Sequence, residues 1–127
     1  MRLLLICLGG ACGTAARYGV DVAAARWLGV DFPYGTLIVN VLGSFLIGVI
    51  QEVALSTSLV SETLRLVLAV GVMGGFTTYS AFSYGTLRLV ERDAASAAAV
   101  NVLLTTGLCL GACALGLLLG RALVAPR

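Results

Sequence analysis

The sequence predicts an all-α membrane protein of four transmembrane helices, the third broken in mid-membrane. Three observations carry that prediction. First, 60% of its 127 residues are hydrophobic and 11% charged, with a mean hydropathy of +1.06. Soluble chains carry about 25% charged residues, and a domain this small has too little interior to hide so much apolar side chain. Second, the apolar residues fall into four segments, at about 2–28, 33–54, 62–90 and 94–124, each meeting the roughly 20 residues a spanning helix needs. Third, the separators are short: Asp31–Phe32–Pro33, Ser56–Thr57–Ser58 with Ser61, and Glu91–Arg92–Asp93. None is long enough to separate domains, so residues 1–127 read as one four-helix protomer.

Segment one opens with Arg2 and the apolar run Leu3–Leu8, which imitates the start of a secretory signal. No lipobox fits, since Cys12 follows Gly9–Gly10–Ala11 and Cys7 follows Leu5–Ile6. The segment is therefore read as the first span. Its Gly9-x-x-x-Gly13 spacing lets another helix approach closely. Arg17–Tyr18 follows, far enough along the span to be costly unless it snorkels to an interface or faces water. Two readings stand: an interfacial anchor, or a positive charge at the mouth of an anion path.

Segment two begins at Tyr34–Gly35–Thr36 and holds Asn40 well inside the apolar run. Thr36, Asn40 and Ser44 are four apart and share a helix face. A buried amide needs a partner; Asn40 is either glue between helices or a donor on a hydrated track.

Segment three contains Gly71-x-x-x-Gly75 and then Gly74–Gly75–Phe76–Thr77–Thr78–Tyr79–Ser80–Ala81–Phe82. Paired glycines followed by β-branched threonines are poor material for continuous helix. Interrupted backbone survives in hydrocarbon only where protein or a wet cavity satisfies it. The stretch is thus either a kink in a packing helix or a place where backbone carbonyls meet an ion. Tyr79 and Phe82, three apart, put two rings on one stripe, either for core packing or to turn their positive edges toward an anion. Segment four carries Gly107-x-x-x-Gly111, Gly116-x-x-x-Gly120 and the polar pair Asn101 and Thr105, predicting a tightly packed helix.

Several functions are excluded or disfavoured by composition. There is no histidine, so histidine catalysis and histidine metal ligation are out. A net charge of +2, dispersed along the chain, gives no nucleic-acid footprint. Cys7, Cys12, Cys109 and Cys113 have no zinc-site spacing and are read as small packing residues. No nucleophile–base pair appears, and an enzyme is not expected. The eight basic residues are all arginine. Arg2, Arg65, Arg121 and Arg127 fall at the end that holds both termini; Arg17, Arg26, Arg88 and Arg92 fall toward the other. Four against four leaves the positive-inside rule nothing to act on, a balance suited to insertion in both directions.

These residues closely resemble a known family. Gly9–Gly10-x-x-Gly13-x-x-x-Arg17–Tyr18, Gly35–Thr36–Leu37-x-x-Asn40-x-x-Gly43–Ser44–Phe45-x-x-Gly48 and Gly74–Phe82 look like the signatures of the Fluc (CrcB-type) fluoride channels, in the right order across the spans. The resemblance implies an antiparallel dual-topology homodimer in the bacterial inner membrane, with two fluoride pores, a central structural sodium ion and passive fluoride efflux that protects the cytoplasm. It assigns the sodium to the backbone carbonyls of Gly74 and Thr77. It assigns the fluoride path to Asn40, Tyr79, Ser80, Phe82 and the vestibule Arg17, with Asn101 and Thr105 as counterparts on helix four. Tyr79 stands where the family normally has phenylalanine, and Ala81 where it has threonine. Some members pair non-identical subunits, so a heterodimer with a paralogue is the other assembly. Two rival functions remain: a proton-coupled small multidrug exporter, which needs a mid-span carboxylate, and a non-transporting assembly protein that uses its glycines only for packing.

Overall fold

The computed structural model describes residues 1–57 and 60–125; Ser58 of the second separator and Arg127 of the arginine tally lie outside the described residues. Helix α1 spans Arg2–Leu28 and stops at Gly29, whose φ of 87° suits a residue without a β-carbon. After Pro33, α2 runs Tyr34–Ser56. The third span comprises α3 (Glu62–Leu66), a π-helical stretch (Val67–Val72), α4 (Met73–Phe76) and α5 (Tyr79–Glu91). Helix α6 covers Ala95–Val124. By length and composition, four helical stretches can cross a membrane: Arg2–Leu28, Tyr34–Ser56, Glu62–Glu91 and Ala95–Val124.

Two helix pairs build the bundle. Helix α2 lies along α6, and α1 lies along the π stretch and α4. The second pair rests on backbone contact. A β-carbon at Gly13 would collide with the Val72 carbonyl and come within 2.9 Å of the Phe76 amide nitrogen, and one at Gly75 would strike the Gly10 carbonyl. The glycine pairs of segments one and three therefore interlock, as small residues four apart permit. On α6 the two glycine pairs behave differently. Gly116 and Gly120 pack against Phe45 and Glu52 of α2, whereas Gly107 and Gly111 have nothing within 4 Å. The prediction of a tightly packed helix holds at Gly116 and Gly120 and at the buried Ala98, Asn101 and Thr105, while Gly107 and Gly111 leave room for a side chain. Cys7 and Cys12 are also exposed, and all four cysteines are free.

Polar contacts gather at one end of the bundle. Arg2 pairs with Glu62 at 3.5 Å, Arg121 with Glu52 at 3.5 Å, and Arg65 donates to Gln51 at 3.4 Å. These contacts join the starts of spans one and three to the ends of spans two and four, as an up-and-down bundle requires. Elsewhere the outer surface is apolar, with Leu4, Leu103, Leu110 and Leu118 each more than half exposed, as suits contact with lipid chains.

Candidate functional site

The third span leaves helical geometry at two residues, Thr77 and Thr78, close to its midpoint. Both are extended, with φ −87°, ψ 159° and φ −154°, ψ 116°. The Thr77 amide keeps its helical bond to the Met73 carbonyl at 2.9 Å, and side chains reinforce or replace the rest. The Thr77 hydroxyl donates back to the Met73 carbonyl at 2.9 Å. The Thr78 hydroxyl accepts the Ala81 amide at 3.2 Å and so caps α5.

Asn40 secures the break from α2. Its Nδ2 donates to the Thr78 carbonyl at 3.0 Å, and its Oδ1 accepts the Thr78 amide at 2.8 Å. The side-chain amide thereby pairs with both backbone polar groups of one residue, as a neighbouring strand would. From the opposite side, Arg17 of α1 donates through Nε to the Gly75 carbonyl at 3.1 Å. Arg17 thus belongs to neither charged end of the bundle, and Tyr18 beside it is 71% exposed.

The break strips the carbonyls of Gly74, Gly75, Phe76 and Thr77 of their helical donors, and Arg17 takes up that of Gly75. In an uninterrupted helix the Gly74 oxygen would accept from the Thr78 amide and the Thr77 oxygen from the Ala81 amide. Those amides donate instead to Asn40 and to the Thr78 hydroxyl. Two carbonyls stripped of their helical donors form an oxygen set suited to a hard cation, so the residues present fit the sodium that the family resemblance implies. Gly74 is exposed and a β-carbon there would meet nothing within 4 Å. Among the described residues there is no cluster of three His, Cys, Asp or Glu that would offer a side-chain alternative.

A cleft of about 450 Å³ opens along the break between α2, the third span and α6. Asn40, Gly74, Thr77, Tyr79, Phe82 and Thr105 all line it. The Tyr79 and Phe82 rings sit 5.5 Å apart, centre to centre, and tilted by 51°. Three of the residues singled out from sequence lie off this cleft. Ser80 is exposed and bonds to the Thr78 hydroxyl at 3.2 Å. Arg17 approaches the break from α1. Asn101 is 1% exposed, and both ends of its amide are engaged, donating to Thr86 at 2.9 Å and accepting from Thr105 at 3.4 Å. Thr36 also separates from Asn40 and Ser44, lining a different cavity beside Asp21.

Sequence reasoning missed Thr78 and Thr86. A threonine three residues ahead of a helical amide is a recognisable cap signal, and could have marked Thr78 as the start of α5. Thr86, which donates to the Phe82 carbonyl at 2.7 Å, carries no such signal.

Residues 4–117 match the family described as "CrcB-like protein, Camphor Resistance (CrcB)". The chain belongs to the CrcB-like family. Among curated members similar to it, a protein of Sorangium cellulosum is 52% identical over 124 residues, 98% of each chain. One from Anaeromyxobacter dehalogenans is 54% identical over 120 residues, covering 94% of this chain and 95% of the relative. One from Geobacter sulfurreducens is 46% identical over 121 residues, 95% and 98% respectively. Each of the three is named "Fluoride-specific ion channel FluC". The match of this CrcB-like chain takes in Arg17, Asn40, the whole break and the polar pair of α6.

Proposed function

We propose that this chain is a fluoride-selective channel that lets fluoride leave the bacterial cytoplasm passively through the inner membrane. It works as a homodimer of two oppositely inserted copies around a structural sodium ion. One observation carries the reading: an aromatic pair, a buried amide and a carbonyl-bearing helix break line a single cleft. The names of the similar relatives supply the ion.

The physical difficulty is dehydration. Fluoride holds water tightly, and no single contact compensates for burying a bare anion. The cleft spreads that compensation. One N–H of the Asn40 amide is committed to Thr78, and the other remains to donate. The tilted Tyr79 and Phe82 rings offer positive edges, and the Tyr79 hydroxyl adds a donor that phenylalanine lacks. Thr105 adds a hydroxyl to the opposite wall. Weak contacts in series let the ion move on. Ser80, exposed and off the cleft in one copy, joins the path from the second, while the buried Asn101 serves it indirectly by holding the Thr105 hydroxyl in the wall. Gly74 and Thr77 of both copies hold the sodium, which joins the inverted halves by carbonyl oxygens alone.

Liposomes holding this chain alone test the reading. Fluoride is expected to leave on demand while chloride stays, and Phe82→Ala is expected to slow fluoride by about tenfold. Equal leakage of both halides would overturn the channel's selectivity. Unchanged flux in Phe82→Ala would remove the aromatic pair from the path, and absence of fluoride flux in the wild-type chain would return it to the assembly-protein reading.

A further inference from the structure

The guanidinium of Arg17 lies beside the end of a helical run, on the opposite side of the break from the cleft. The run Glu62–Phe76 ends in carbonyls that no following turn satisfies, and such an end carries partial negative charge. Arg17 Nε donates to one of them, Gly75, at 3.1 Å. The side chain leaves α1 one turn past Gly13, where the two backbones touch, so its reach to Gly75 is fixed by the tightest contact in the bundle. Among the described residues, ion pairs join Arg2 to Glu62, Arg88 to Glu91 and Arg121 to Glu52, and none includes Arg17. Its charge is therefore spent on the break and not on a carboxylate.

The nearby carbonyls of Gly74 and Thr77 have also lost their helical donors, the Thr78 and Ala81 amides, to side chains. Resting on the sodium reading above, we infer that Arg17 is a positioning residue that acts as a tethered cation on the break. It neutralises the helix end, withholds the Gly75 carbonyl from the metal ion and thereby lowers the affinity of the Gly74–Thr77 site for sodium. A sodium ion and the guanidinium are like charges served by consecutive carbonyls, so each weakens the hold of the other. A fixed cation at this position keeps the break formed when sodium is absent and keeps sodium from binding so tightly that its field traps the anion alongside. This role differs from concentrating anions at an entrance, because it acts through the backbone and is independent of fluoride.

The test is a sodium titration of thermal melting, with fluoride absent and choline holding ionic strength constant. It compares the purified full chain with Arg17→Gln and Arg17→Met. Gln removes the charge and keeps a donor; Met removes both. The wild-type chain is expected to melt higher in sodium than in choline. Both variants are expected to melt lower than wild type in choline, and to reach their sodium plateau at a concentration lower by about tenfold. A plateau concentration unchanged in both variants overturns the inference. So does failure of both to fold at any sodium concentration, since sodium is expected to replace the tethered cation. A wild-type chain indifferent to sodium would instead sink the sodium site itself.

Discussion

Asn40→Ala removes the two hydrogen bonds that hold the backbone N–H and C=O of Thr78. A buried donor or acceptor left unpaired costs about 1–3 kcal/mol, so the variant is expected to melt well below wild type as well as to conduct poorly. Thermal melting beside fluoride flux separates the two effects. Adjacent glycines make a sharper pair. Gly75 faces the Gly10 carbonyl and Gly74 faces open space. Gly75→Ala is expected to destabilise the chain by about 1–3 kcal/mol. Gly74→Ala is expected to leave the protomer fold intact while weakening the response of melting temperature to sodium. Equal melting of the two variants would remove this account of the break. The buried amide was legible in the sequence because an apolar run leaves it no solvent. Its partner was not: hydropathy says that Asn40 needs a donor and an acceptor, but only the fold brings Thr78 to it, 38 residues away.

At the scale of the element, the third span shows what composition can and cannot reveal. Two glycines and two threonines signalled an interruption, and the backbone does turn extended at Thr77 and Thr78. The π stretch Val67–Val72 left no mark, because its small and β-branched residues suit an α-helix as well as a wider turn. Its origin lies in packing, where the Val67 and Val72 carbonyls meet Gly9 and Gly13 of α1. The cap on α5 is testable by itself. Thr78→Val keeps the shape and loses the acceptor for the Ala81 amide, and is expected to cost about 1 kcal/mol. Thr78→Ser is expected to restore most of that. Parallel melting curves of the two variants decide it, and a Val variant as stable as wild type would mean that the hydroxyl does not cap.

The whole molecule leaves specific surfaces without a partner. Tyr79 is 80% exposed, the cleft beside it opens outward, and Gly107 and Gly111 of α6 touch nothing within 4 Å. A second copy inserted upside down would cover the cleft and complete the path. The described arginines allow it: Arg2, Arg65 and Arg121 mark one end and Arg26, Arg88 and Arg92 the other, with Arg17 withdrawn to the break. The number and rough limits of the spans were legible because hydrophobic length is a property of the chain itself. How faces would be shared in the proposed pair depends on a second molecule, and the residues themselves bear on it only through their charge balance.

Cysteine labelling in intact cells tests that assembly most directly. With Cys7, Cys12, Cys109 and Cys113 replaced by alanine, a single cysteine is placed at Ala125 in one variant and at Asp31 in another, at opposite ends of the bundle. A membrane-impermeant thiol reagent is expected to reach about half the copies of each, as unbiased insertion requires. Complete labelling of one variant and none of the other would establish a single orientation and contradict the inverted pair.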